Sequence, residues 1–147
     1  MDHPVAHVLL VDGDAAHLEL IRRAFESHGR RMRLTAVRTL REARALLADT
    51  PPDLVIVDTD LSDGNGMDLL PGREGEGPFP VVVLTGHGNE KAAVEAIKRG
   101  AIDYIVKSRS ALLDMPHIAV HAIHEWQVLL DRDRKSTRLN SSHQSVS

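Results

Sequence analysis

Four residues of this chain are of types, and at positions, that together can do chemistry: Asp12, Asp58, Thr85 and Lys107. Each follows a short apolar run: Val8-Leu9-Leu10-Val11, Leu54-Val55-Ile56-Val57, Val81-Val82-Val83-Leu84 and Tyr104-Ile105-Val106. If those runs lie side by side, their polar ends share one rim. Two carboxylates brought together repel unless a cation or proton joins them, so a hard divalent ion such as magnesium suits them. An ammonium and a hydroxyl facing a metal-bound carboxylate are suited to hold phosphoryl oxygens. One polar strand end is ordinary. Four of these chemical types together form a specific pattern.

The elements that must position them follow from the same pattern. Continuous β-branched runs suit strands buried on both faces of a parallel sheet. A weaker strand is expected at Arg33 to Val37. Ala15 to His28 carries Leu18, Ile21 and Phe25 on one helical face and stops at Gly29. Thr39-Leu40-Arg41-Glu42 is a capping box ahead of Leu40, Ala43, Leu46 and Leu47. Asn89 caps a helix with Ala93, Val94 and Ile97 inward, and Gly100 closes it. Met67 to Leu70 can start a helix that Pro71 and Gly72 cut short. A last helix is expected from Met115 to Leu130, with Ile118, Ala122, Ile123, Trp126 and Leu130 inward. Five βα units in this length predict an α/β, flavodoxin-like doubly wound fold: a five-stranded parallel sheet, order 2-1-3-4-5. Its switch point lies between strands 1 and 3, where Asp12 and Asp58 end.

Composition narrows the function. At 147 residues, 42% hydrophobic and 27% charged, the chain suits one globular domain. It has no cysteine, which excludes disulfides, thiol catalysis and cysteine-ligated metal. No apolar run reaches the roughly 18 residues of a membrane span. Met1-Asp2-His3-Pro4 lacks the start of a secretory signal. The net charge of −3 argues against nucleic-acid binding by bulk electrostatics. Eight arginines between Arg22 and Arg44 read as solvated helix faces, with a docking patch for an acidic partner as the alternative.

The motifs LLVDGD at 9–14, VIVDTDLSDGNG at 55–66, VVVLTGHG at 81–88 and DYIVKS at 103–108 resemble the receiver domain of two-component response regulators. The resemblance covers about residues 5–130. It implies a signalling switch, not an enzyme, in which Asp58 is the phosphoacceptor. Magnesium would be held by Asp12, Asp58 and the main-chain carbonyl of Asp60. Thr85 would bond the phosphoryl group, Lys107 would pair with it, and Tyr104 would be the aromatic switch. Gly86 would leave the phosphate accessible, and His87 would overhang the pocket. The implied partners are a sensor histidine kinase or phosphotransfer protein, and a second copy through the last strand and helices. No direct nucleic acid or membrane is implied, and the location is cytoplasmic.

Two positions depart from the family. Gly13 stands where a second acid supplies a metal ligand, so metal affinity is expected to fall. Asp14 either reaches the metal through water or caps the first helix, and the cap is favoured. Ser62 stands where the family has proline, which should loosen the loop. Asp63 is expected in a turn before Gly64. The departure at Gly13 keeps two alternatives open: a pseudo-receiver binding module, or, from Asp58-Thr59-Asp60, a haloacid-dehalogenase-like phosphatase. His117, His121 and His124 have a spacing that could hold zinc, though a solvated or partner-facing stripe is favoured. Residues 1–132 are expected to form the domain. Residues 133–147, DRKSTRLNSSHQSVS, are expected to be an artefactual disordered tail: DRKSTRLNSSH resembles a translated sequencing-library adapter, and the stretch has five serines and no apolar periodicity. The native gene would then continue beyond residue 132.

Overall fold

The computed structural model describes residues 5–28, 32–73 and 76–146, with side chains described as far as Asp133. The strands of its main sheet are β1 (Ala6–Val11), β2 (Met32–Val37), β3 (Leu54–Asp58), β6 (Val81–Thr85) and β7 (Asp103–Val106). They pair in parallel in the order β2-β1-β3-β6-β7, the 2-1-3-4-5 winding expected for five βα units. Between β3 and β6 lies a short antiparallel pair, β4 (Asp60–Leu61) and β5 (Gly64–Asn65), and then a 3-10 turn, Gly66–Leu69. The helices are α1 (Ala15–His28), α2 (Leu40–Asp49), α3 (Glu90–Lys98), α4 (Arg109–Leu113) and α5 (Met115–Val146).

The uninterrupted apolar runs of β1, β3 and β6 are explained by burial on both faces; β7, expected to be buried likewise, lies at the sheet edge and is only partly covered, with Val106 48% exposed. Val8 and Leu10 of β1 face a core with Ile21 and Phe25 of α1 and with Met115, Ala119 and Ala122 of α5. Leu9 and Val11 face the other side, against Ala43 of α2, Ala96 of α3 and Met67. Each alternate residue therefore removes apolar surface from water, and no polar residue fits until the strand ends.

Local signals set the helix starts. The Thr39 hydroxyl accepts from Glu42 N–H at 3.1 Å, as the capping box predicts, while the Glu42 carboxylate accepts from the Thr39 hydroxyl at 3.0 Å. Asn89 accepts from Ala92 N–H. Ser108 caps α4, a short helix not expected from the sequence, which placed the last helix from Met115. Two faces turn differently from expectation. In α3 Ala96 is fully buried while Val94 is 53% exposed. In α5 Ala119 takes an inward place, and Leu130 is 37% exposed. At the end of the chain α5 runs from Met115 to Val146. No proline or glycine lies between His117 and Val146 to stop it.

Candidate functional site

Strand register brings the predicted residues together. Val11 is level with Val57 across β1 and β3, so Asp12 and Asp58 leave the sheet side by side. Thr85 is the last residue of β6, and Lys107 N–H bonds its carbonyl at 2.7 Å. Asp12 is 0% exposed, Asp58 4% and Thr85 5%. Among the described residues these are the buried polar side chains of the core, gathered at one end of the sheet.

Lys107 joins the acids. Its ammonium lies 2.7 Å from Asp58 Oδ2 and 2.8 Å from Asp12 Oδ2. The Asp58 contact is a hydrogen bond, whereas Asp12 Oδ2 lies off the hydrogen-bonding angle and has no hydrogen-bond partner. The Asp12 contact is therefore Coulombic. The other Asp12 oxygen accepts from Asp14 N–H, and Asp58 Oδ1 accepts from Asp60 N–H at 3.0 Å. Burial raises the Asp12 carboxyl above its ordinary value, and Lys107 only partly offsets this. Burial alone would lower the Lys107 ammonium, but its hydrogen bond to Asp58 and its attraction to both carboxylates outweigh that and hold it above the usual lysine range. Lys107 also lies 3.1 Å from His17 Nδ1. An ammonium can only donate there, so His17 accepts at Nδ1. No local pattern marks His17, because its contact crosses 90 residues.

Asp14 is the cap of α1. Its Oδ1 accepts from Ala16 N–H and His17 N–H at 2.9 and 3.1 Å, and the His17 bond is the main reason its carboxyl stays below the usual range. That geometry is the helix cap favoured for Asp14. The Thr85 hydroxyl donates to the His87 carbonyl at 3.0 Å and accepts from His87 N–H and from the Thr59 hydroxyl. Its proton is thus turned away from Asp58. Half-buried Tyr104 packs beside Gly88, where a Cβ would stand 3.2 Å from its ring and hydroxyl. Gly88 was quoted in the sequence motif without a role; it leaves room for that ring. Gly86 has nothing within 4 Å of a Cβ, an open flank.

The loop after Asp58 folds back tightly. A Cβ on Gly66 would lie 2.0 Å from the Asp58 carbonyl oxygen, so glycine is obligatory there. Asp63 lies in the turn as expected, and its carboxylate also accepts from Leu40 and Arg41 N–H, both at 2.9 Å. Those two bonds hold its carboxyl below the usual range. This long-range cap restrains the loop that Ser62 was expected to loosen.

The donors suit a hard cation. Asp12 Oδ2 is buried with an unused acceptor direction, and the Asp58 carboxylate lies beside it. The Asp60 carbonyl oxygen lies 3.9 Å from where a Gly13 Cβ would stand, facing the place of the missing acid. No group of three or more metal-binding side chains occurs among the described residues, so a cation here would rely on carbonyl and water oxygens. His117 pairs with Asp114 at 2.9 Å and His121 with Glu125 at 3.5 Å, a solvated stripe rather than a zinc site. Arg22 and Arg23 pair with Glu19 on the exposed face of α1, consistent with solvated helix faces.

The response regulator receiver domain model matches residues 8–115, a span that contains all four site residues. The chain belongs to that family. Methanogenesis regulatory protein FilR1 of Methanothrix harundinacea is 39% identical over 129 residues, covering 85% of this chain and 29% of that protein. The chain thus spans less than a third of that relative. The beryllofluoride-activated NtrC4 receiver domain dimer is 29% identical with a TM-score of 0.69, covering 82% of this chain and 98% of that one. The Mn(2+)-bound form of response regulator Rcp1 is 25% identical with a TM-score of 0.65, covering 75% and 88%. The family is one of signalling receiver domains, which is consistent with a switch rather than an enzyme. No described helix is long and apolar enough to cross a membrane.

Proposed function

We propose that this receiver domain accepts a phosphoryl group on Asp58 from a histidine kinase or phosphotransfer protein, with magnesium, and switches through Thr85 and Tyr104. The observation that carries this is the convergence of Asp12, Asp58, Lys107 and Thr85 at the rim of β1, β3 and β6, with Lys107 touching both carboxylates. Asp12, Asp58 and the Asp60 carbonyl would hold the cation, whose charge offsets that of the incoming phosphoryl oxygens. Asp58 is the nucleophile: an oxygen lone pair forms the new P–O bond as the bond to the donor's leaving group breaks. Its carboxylate stays oriented by Asp60 N–H at Oδ1. Lys107 transfers part of its attraction from Asp58 Oδ2 to the phosphoryl oxygens. The Thr85 hydroxyl exchanges the His87 carbonyl for a phosphoryl oxygen, and that movement opens the space beside Gly88 and Tyr104. Water later hydrolyses the acyl phosphate, an incidental self-dephosphorylation.

Asp58→Asn keeps the shape but loses the nucleophilic oxygen. Intact-mass spectrometry after acetyl phosphate and magnesium should show one added phosphoryl group in the parent and none in Asp58→Asn. Labelling of the variant would refute the assignment. A second reading, the pseudo-receiver, is favoured by Gly13 and by the ammonium already spanning both acids; a parent that fails to label supports it. Exposed Val94 and Val106, at 53% and 48%, favour pairing with a second copy through the last strand and helices. Beryllofluoride should then raise the mass seen by analytical ultracentrifugation. We place the protein in the cytoplasm. The expectation of no direct nucleic acid applies to this chain and not to longer relatives.

A further inference from the structure

The junction between β2 and α2 touches both loops that carry cation donors, and the proposed function uses neither contact. On one side Arg38 donates to the Gly13 carbonyl from Nη2 at 2.7 Å and from Nε at 3.2 Å. On the other, Leu40 and Arg41 N–H donate to Asp63. Between them Gly13 and Asp60 face each other across a hollow of about 430 Å³, whose other walls are Arg38, Thr39 and Ser62. Little that is local fixes the width of that hollow. Position 13 has no side chain, position 62 has no proline ring, and the β4–β5 pair is only two residue pairs long.

We propose that Arg38 and Asp63 are positioning residues that clamp the Gly13 loop and the Asp60 loop onto the start of α2, holding the cation donors at binding spacing in a site that lacks the acid at position 13. The inference rests on the magnesium-dependent reading above. The physical reason is that both arms are charge-assisted bonds. The Asp63 arm also satisfies two amides that α2 cannot pair internally, so the loop cannot drift without leaving both unmet. Leu40 closes the seam: its Cδ1 lies 2.8 Å from where a Gly64 Cβ would stand. Arg38 has a cost, since its charge opposes a divalent ion. Its exposure to water screens that repulsion, and the directional bond to Gly13 dominates.

The test is isothermal titration of magnesium chloride into the full chain. Asp63→Ala should weaken binding about tenfold and Arg38→Ala about threefold, with Asp63→Asn in between because one accepting oxygen remains. Glu42→Ala, which removes the capping-box carboxylate of α2 without touching either loop, should leave affinity unchanged. Hydrogen exchange of the metal-free protein gives a second readout: the amides of Gly13 and of residues 60–65 should exchange faster in Asp63→Ala than in Glu42→Ala. Tighter magnesium binding in Arg38→Ala would mean its charge, not its bond, matters and would overturn the proposal. So would folded variants that bind like the parent, or an equal loss in Glu42→Ala. A parent that binds no magnesium defeats the metal-dependent function itself and this inference with it.

Discussion

Gly13→Asp restores the acid that the receiver pattern places beside Asp12, and the structure sets the terms of the outcome. Gly13 is not among the residues with positive φ, so an aspartate carries no backbone strain there. Its Cβ would meet only the Arg38 and Asp60 carbonyl oxygens, at 3.7 and 3.9 Å, ordinary contacts. In the metal-free protein the new carboxylate, about 6 Å from Asp12 in an effective dielectric of about 40, costs about 1.4 kcal/mol. Restricting the unfolded chain by replacing glycine returns about 0.5–1 kcal/mol. The net metal-free loss is therefore about 0.5–1 kcal/mol, a fall of a few degrees in Tm for a domain of this size. With magnesium the same carboxylate meets a double positive charge, and the gain exceeds the loss. Binding should tighten at least tenfold, about 1.4 kcal/mol or more. Thermal melts across a magnesium titration, paired with calorimetric binding, measure both quantities. Asp14→Asn in parallel should leave affinity unchanged, because Asp14 serves α1. If Gly13→Asp binds magnesium no better than the parent, the cation does not sit between Asp12 and Asp60 and the donor assignment fails.

Lys107→Ala leaves Asp12 and Asp58 buried without their ammonium, which should cost about 3 kcal/mol at neutral pH by chemical denaturation and less with added magnesium; an unchanged midpoint would refute the bridging role. Gly66→Ala forces a methyl group into the Asp58 carbonyl and should destabilise by about 3 kcal/mol or more, lowering phosphoryl labelling as the loop moves; a near-neutral result would contradict the close approach. For Asp12 the sign follows from burial. Its carboxyl titrates higher in the folded than in the unfolded state, so its contribution favours folding below the unfolded value and declines as pH rises to the folded one. In metal-free protein, the stability difference between parent and Asp12→Asn should therefore shift against the parent as pH rises through that window. A difference that moves the other way would mean Lys107 outweighs burial.

The sheet and the chemistry were legible in the sequence because their signals are local. An uninterrupted β-branched run ending in Asp12, Asp58 or Thr85 states that both faces are buried and that polarity is admitted only at the rim, whereas the run before Lys107 is the sheet's edge strand and stays partly exposed. The capping signals at Thr39 and Asn89 work within one turn of helix, so residue type and spacing sufficed. What the sequence could not state was what a rim residue meets from elsewhere in the chain. Lys107 bridging the two acids, His17 against its ammonium and Asp63 on the first amides of α2 depend on contacts between residues 22 to 95 apart. Asp63 reads locally as a turn residue and Arg38 as one charge in a basic stretch. Helix orientation was also a tertiary decision: Ala96 and Ala119 are buried in place of Val94 and Leu130 because helices packed closely on a sheet favour small residues where backbones approach. Sequence thus fixes which groups line the rim, by the burial period of each strand. Their distances, and the burial that perturbs Asp12, come only from elements far apart in the chain packing together.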